Sequence, residues 1–366
     1  MQPTHPVPHV YRLALVLALA YLLTIVYASL QPFRFWRLPP EEFYGFLTAP
    51  WPRYTTLDDV LVNAIAYVPL GFMLALGLRQ WFRPVFAVIA GTLIATAVSI
   101  GMESIQMFLP ARIPSNVDVL ANSTGGLIGA LAAPLFLPSR IIGARLIAWR
   151  HRVFQPGAIT ETGLLIAGLW VLSQLDPLTQ IFGTGNLRTT FDLPVYFFHT
   201  PGLLLSAEAA VVFFNLLGLG LLLSTLLRQN ARRGAVIAGF IMAAIALKMI
   251  ITAVLANPRG AFAWMTPGVM LGFSMGVMVL LVGMLSLGHR VRLWLSLLCI
   301  VLALAAINLA PDNPYFNMPP RLAAGRVSHL LSFSAVLRAL SELWPLLALV
   351  YLITVARREW GRPPVS

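Results

Sequence analysis

Ten apolar runs dominate this chain, at residues 10–30, 60–78, 85–105, 117–137, 160–175, 203–227, 235–255, 267–287, 293–309 and 329–356. A membrane-crossing helix needs about 20 mostly apolar residues. Within lipid, only helices and closed barrels satisfy their own backbone hydrogen bonds. The runs therefore predict an all-α fold, a polytopic membrane helix bundle of about ten transmembrane helices. The run at 160–175 is the weakest, being short and followed by Asp176-Pro177. Composition agrees: 58% of residues are hydrophobic and 10% charged, with a mean hydropathy of +0.82. Soluble domains are about a quarter charged. A soluble globule and a disordered chain are excluded. So is a disulfide-stapled module, since Cys299 is the single cysteine.

The net charge of +12 would point to nucleic acid in a soluble protein. Here the arginines punctuate apolar runs, so no nucleic-acid partner is expected and the charge is read as topological. With the N-terminus inside, inner segments carry fifteen arginines and outer segments eight, which predicts both termini in the cytoplasm. Only Arg12 precedes the first run. A cleaved signal peptide is the competing reading there, and the length of the run favours a retained helix. Ten of the thirteen acids fall on or near the predicted outer side. Acids contribute little to topology, so a polar outer vestibule is the favoured cause. Solvated loops suffice for Glu41, Glu42 and Asp312.

A faint internal repeat runs through the spans. Ala121, Gly125 and Gly129 recur as Gly268, Gly272 and Gly276 at an offset of 147, where Arg112 also falls on Arg259. This predicts a parallel four-plus-four arrangement followed by two extra helices. The expected organisation is a four-helix unit at 1–138, a basic cytoplasmic connector at 139–158, a second, degenerate unit at 159–288, and two further helices with a tail at 289–366. At the same offset Glu103, Gln106, Asp118 and Asn122 become Ile250, Ala253, Met265 and Val269. Any chemistry is therefore assigned to the first unit.

The polar residues of that unit are spaced by helical turns. Asp59 and Asn63 share one face of the second span, above Pro69 and Gly71. Glu103 and Gln106 lie together at the end of the third. A short, proline-stiffened connection carries Arg112. Asp118 and Asn122 open the fourth span, with Ser115 or Asn116 as its cap. Ala121, Gly125, Gly129 and Ala133 form a small-residue stripe for close helix contact. All of these polar groups are expected near the outer ends of three neighbouring helices. Charges in lipid are costly unless paired or wet, and they default to functional candidates. A buried clamp that fixes helix register is the bland reading. The other is a ligand pocket in which Arg112 holds an anionic group, Glu103 and Asp118 orient it, and Asp59, Asn63, Gln106 and Asn122 add hydrogen bonds. No His/Cys cluster exists, so neither a metal nor a cofactor is expected.

The segments DDVLVNAIAYVPLGFMLALGLR and ESIQMFLPARIPSNVDVLANSTGGLIGAL resemble the VanZ-like family of bacterial membrane proteins. The pattern falls on Asp59, Asn63, Pro69, Leu70, Gly71, Glu103, Gln106, Pro110, Arg112, Asp118, Asn122 and Gly126, and the resemblance covers about residues 10–137. It implies a multi-pass protein of the bacterial cytoplasmic membrane with a place in the cell envelope. The founding member is associated with low-level resistance to the lipoglycopeptide teicoplanin. The expected partner is a membrane lipid, glycolipid headgroup or envelope amphiphile. The alternatives are a lipid flippase or transporter, and an enzyme acting on a lipid-linked phosphate or sugar at the outer face.

Elsewhere, Arg338 and Glu342 stand one turn apart and read as an internal pair. Lys248 lies within the seventh span and needs a partner, and Glu208, near the start of the sixth, is the candidate. The loop 176–201 reads as an interfacial loop with an aromatic belt, with a lid or re-entrant segment as the alternative.

Overall fold

The computed structural model describes residues 9–30, 36–38, 44–51, 57–110, 112–137, 140–176, 179–188, 200–255, 262, 264–283, 286–310 and 328–360, with the side chains of 9, 28, 58, 59, 254, 255, 328–336 and 360 left out. No β-strand occurs among them, only an isolated bridge between Phe154 and Leu227. Among the described residues eight helices are long and apolar enough to cross a membrane, and Ala158–Ser173 and Pro267–Val282 are shorter apolar helices. The chain divides into two compact units, one comprising residues 1–149 with 325–332 and the other 150–324 with 333–366.

The first unit contains α1 (His9–Leu30), the short α2 (Gly45–Thr48), α3 (Leu57–Leu78), α4 (Pro84–Gln106) and α5 (Asn116–Ala132). A single 3₁₀ turn, Ala133–Phe136, extends α5, and the next helix, α6 (Ile141–Val153), spans the boundary between the two units. Pro69 lies inside α3 and removes one of its backbone bonds. The small-residue stripe determines the packing. A β-carbon built on Gly125 would lie 1.9 Å from the Ala64 carbonyl oxygen, and one on Gly129 would lie 1.9 Å from that of Val68. Only glycine permits this approach of α5 to α3, the close-contact geometry of membrane helices. The next residue, Gly126, faces Ala95 of α4, whose β-carbon would be 2.8 Å away. Helix α5 is thus wedged between α3 and α4. The Tyr21 hydroxyl of α1 donates to the Ala66 carbonyl at 3.0 Å, tying α1 to α3.

The second unit contains α7 (Ala158–Ser173), α8 (Pro201–Leu226), α9 (Arg233–Leu255), α10 (Pro267–Val282), α11 (His289–Leu309) and α12 (Ser328–Trp360), the last from residue 333 onward. Helix α8 is apolar on every side and is buried over most of its length, as expected of a helix at the centre of a bundle. Gly218 of α8 faces Ile300 of α11, and Gly272 of α10 faces the Ala209 carbonyl of α8, 2.3 Å from a built β-carbon.

One sequence expectation is corrected in this unit. Lys248, only 1% exposed, does not meet Glu208. Its ammonium donates to the carbonyls of Gln174 at 3.2 Å and Asp176 at 3.0 Å. These lie at the C-terminal end of α7, where a helix presents unsatisfied carbonyls and a negative dipole end. Glu208 instead accepts from the Thr266 hydroxyl at 2.6 Å. The described part of the loop, residues 179–188, is packed into the unit: Ile181, Phe182, Thr184 and Arg188 are all buried. Asn308 takes hold of it from both sides, donating to Gly185 and accepting from the Leu187 amide. The Gly185 amide donates to Ser341. Residues 189–199 of that loop lie outside the described residues.

Candidate functional site

The site grows from the ends of α3, α4 and α5 and from the connection between α4 and α5. Ser115 caps α5, accepting from the Val117 amide at 3.2 Å. The Ser115 amide donates to Glu103 Oε2 at 2.9 Å. The helix start of α5 is thereby fixed to a carboxylate on α4. Asp118 lies in the first turn of α5 and accepts from Asn63 Nδ2 of α3 at 2.7 Å. Asn122, one turn further on, donates to Ser99 Oγ of α4 at 2.9 Å. Gln106, at the end of α4, donates to the Ser29 carbonyl of α1 at 3.2 Å.

These groups are withdrawn from solvent. Glu103, Gln106, Arg112, Asp118 and Asn122 are all buried, and Arg112 is only 3% exposed. Glu103 lies within electrostatic reach of both Asp118 and Arg112. Arg112 lies in the connection between the spans. Burial pulls its guanidinium below the ordinary arginine range, and the Glu103 charge opposes that shift. The structure therefore brings together Asn63, Glu103, Arg112, Asp118 and Asn122 from four stretches of chain, with Gln106 one turn away at the junction with α1. The Asp59 side chain lies outside the described residues.

Two acceptors in this set have no hydrogen-bond donor among the described residues, Gln106 Oε1 and Asn122 Oδ1. Buried polar atoms of this kind are rare, and each costs about 1–3 kcal/mol when left unanswered. Both are amide oxygens, so a group that answers them must donate.

Sequence reasoning missed two members of the set. Ser99 is fully buried beneath Asn122, and Tyr67 is buried within electrostatic reach of Glu103. Each stands four residues from a residue already singled out, Ser99 before Glu103 and Tyr67 after Asn63. The one-turn rule that found the others would have found them.

Residues 11–137 match the family described as VanZ/LLP1, and the site lies wholly within that segment. No curated protein and no solved structure matches the chain. Eight long apolar helices together with this match point to a multi-pass membrane protein whose first part is similar to the VanZ/LLP1 family.

Proposed function

We propose that the VanZ-type unit is a membrane-embedded binding module for the polar headgroup of an envelope lipid, glycolipid or lipoglycopeptide-like amphiphile. Arg112 engages an anionic group of that headgroup, and Glu103 and Asp118 orient its hydroxyl or amine donors. Asp59, Asn63, Gln106 and Asn122 complete the hydrogen bonding. In this reading the chain crosses the bacterial cytoplasmic membrane ten times with both termini in the cytoplasm, and the site faces outward. Such a module would serve envelope biogenesis or resistance to an antibiotic that acts there.

The observation that carries this reading is the pair of buried acceptors, Gln106 Oε1 and Asn122 Oδ1, beside three buried ionisable side chains. A helix clamp alone accounts for the Asn63–Asp118 and Ser115–Glu103 hydrogen bonds. It leaves those two acceptors unanswered. A flippase would need polar groups continuing along the helices, whereas below Asn63 and Asn122 the α3–α5 seam consists of glycines and apolar residues. An enzyme would use the same carboxylates as acid and base.

The test replaces Glu103, Arg112 and Asp118 singly with alanine. It measures the amount of folded protein together with binding of teicoplanin and of a fluorescent lipid-linked sugar. Loss of binding with folded protein retained is expected for Arg112→Ala. If binding falls only in step with folded protein in all three, the residues are a clamp. Turnover of the lipid-linked sugar that vanishes in Glu103→Gln while binding persists would select the enzyme. Exchange of a labelled lipid across proteoliposomes would select the flippase.

A further inference from the structure

The chain between α1 and α3 is fastened to both ends of the connection that carries Arg112. The Arg37 amide donates to the Phe108 carbonyl, just after α4, at 2.9 Å. Asn116 Nδ2, on the first residue of α5, donates to the Ala49 carbonyl at 2.6 Å. Between these two fastenings α2 is anchored by the buried Phe46. Trp36 stands one residue before the first fastening and Trp51 two residues after the second, so both are tethered to the edge of the headgroup site by one or two residues of backbone. Trp36 is 51% exposed and Trp51 73%, and Ile113, next to the buried Arg112, is 86% exposed. The usual order of a protein surface is inverted here, with charge inside and large apolar groups outside.

The two layers ask for different things. The face of an indole ring is electron-rich and apolar. The polar set offers mainly acceptors: the carboxylates of Glu103 and Asp118, and the unanswered Gln106 Oε1 and Asn122 Oδ1. A phosphodiester brings acceptors only, and an acyl chain brings no polar group. A primary ammonium donates, but it is a compact, strongly hydrated point charge with no apolar face. A sugar ring supplies both needs. Its C–H face is apolar with slightly positive hydrogens that lie against an aromatic face, and its edge carries hydroxyl donors.

We infer, resting on the headgroup site proposed above, that Trp36 and Trp51 are stacking platforms for a carbohydrate, so that the headgroup is the sugar of a glycolipid. The full chain is placed in phosphatidylcholine nanodiscs with equal amounts of glucosyl diacylglycerol, phosphatidylethanolamine and phosphatidylglycerol. Native mass spectrometry reads the lipid retained, and the thermal midpoint is taken for each variant. The wild type retains the glucosyl lipid over the other two. Trp36→Leu and Trp51→Leu, which keep an apolar side chain but remove the ring, each reduce that preference about fivefold. Trp51→Phe, which keeps an aromatic face, loses less. Trp81→Leu, beyond the other end of α3 and 66% exposed, loses none. Should one of the leucine variants fail to fold, the other carries the test. Tryptophans that serve only as interfacial anchors would lower the midpoint in every lipid and leave the preference unchanged, which would overturn the inference. A wild type that prefers the ethanolamine or glycerol lipid, with the preference lost in Arg112→Gln but intact in both leucine variants, would overturn it while leaving the headgroup site standing. A wild type with no preference among the three would remove both.

Discussion

In the first unit, Gly125 and Gly129 of α5 rest on the Ala64 and Val68 carbonyls of α3. In the second, Gly272 of α10 rests on the Ala209 carbonyl of α8. In both units the glycine-striped helix opens with a hydroxyl cap, Ser115 on α5 and Thr266 on α10. In both, that cap is bonded to a carboxylate from a neighbouring helix, Glu103 in one and Glu208 in the other. The first adds Asn63–Asp118 across the same seam, Asn122–Ser99 beyond it, and a buried arginine in the adjoining connection. The proposed function draws on this additional polar set of the first unit. This likeness supports the parallel repeat as a proposal, in which the two halves have different tasks.

That comparison can be broken or sharpened by mutation. The largest effect is expected at the seams. A side chain at Gly125 must displace backbone rather than a flexible neighbour, so Gly125→Leu should destabilise by about 3 kcal/mol or more. In practice it should abolish monodisperse protein on size-exclusion chromatography, and Gly272→Leu should do the same. A normal elution profile and melting curve for either would refute the seam described here.

The next effect concerns the polar crossing of the first seam. Removing one partner of a buried hydrogen bond to a charged group costs about 1–3 kcal/mol. Asn63→Ala and Asp118→Ala should each lower the thermal midpoint, and the double variant should fall well short of the sum. Full additivity would show that the two side chains do not interact in the membrane.

A comparable or smaller loss, about 1–2 kcal/mol, is expected for Thr266→Val, which removes the hydroxyl answering Glu208. Glu208→Gln should be milder, because an amide oxygen can still accept from Thr266. Neither should alter headgroup binding if the second unit is purely scaffold, and a binding defect in Thr266→Val would erase the division of labour. The smallest effect belongs to Arg338→Gln. Arg338 is exposed, and surface substitutions of this kind stay within about 0.5 kcal/mol. A large drop in midpoint would support the internal pair with Glu342 read from the sequence.

Much of this architecture is visible in the sequence, for identifiable reasons. Spans are legible because lipid imposes length and apolarity directly on the chain. The residues at Asn63, Glu103, Asp118 and Asn122 are legible because one helical turn fixes which side chains share a face. The glycine stripe announces close packing without naming the partner, and its strongest engagement is with α3. What stays hidden rests on long-range bonds. The residues at 183–188 read as part of an interfacial loop, and nothing local reveals that Asn308, 120 residues away, fills their hydrogen bonds. Lys248 misleads for the same reason. The search for its partner chose Glu208, whereas Lys248 bonds the carbonyls of Gln174 and Asp176 after α7 and lies within electrostatic reach of Asp176.

The central claim is that the polar set at the ends of α3–α5 accepts a donor-rich headgroup as well as joining helices. Native mass spectrometry after reconstitution with a bacterial polar lipid extract tests it most directly, comparing wild type with Asn122→Leu and Arg112→Gln at matched thermal midpoints. The account predicts a selectively retained amphiphile on the wild type that is lost from both variants while they remain folded. A wild type that carries the extract without selectivity, or variants that carry the same amphiphile to the same extent, would contradict it.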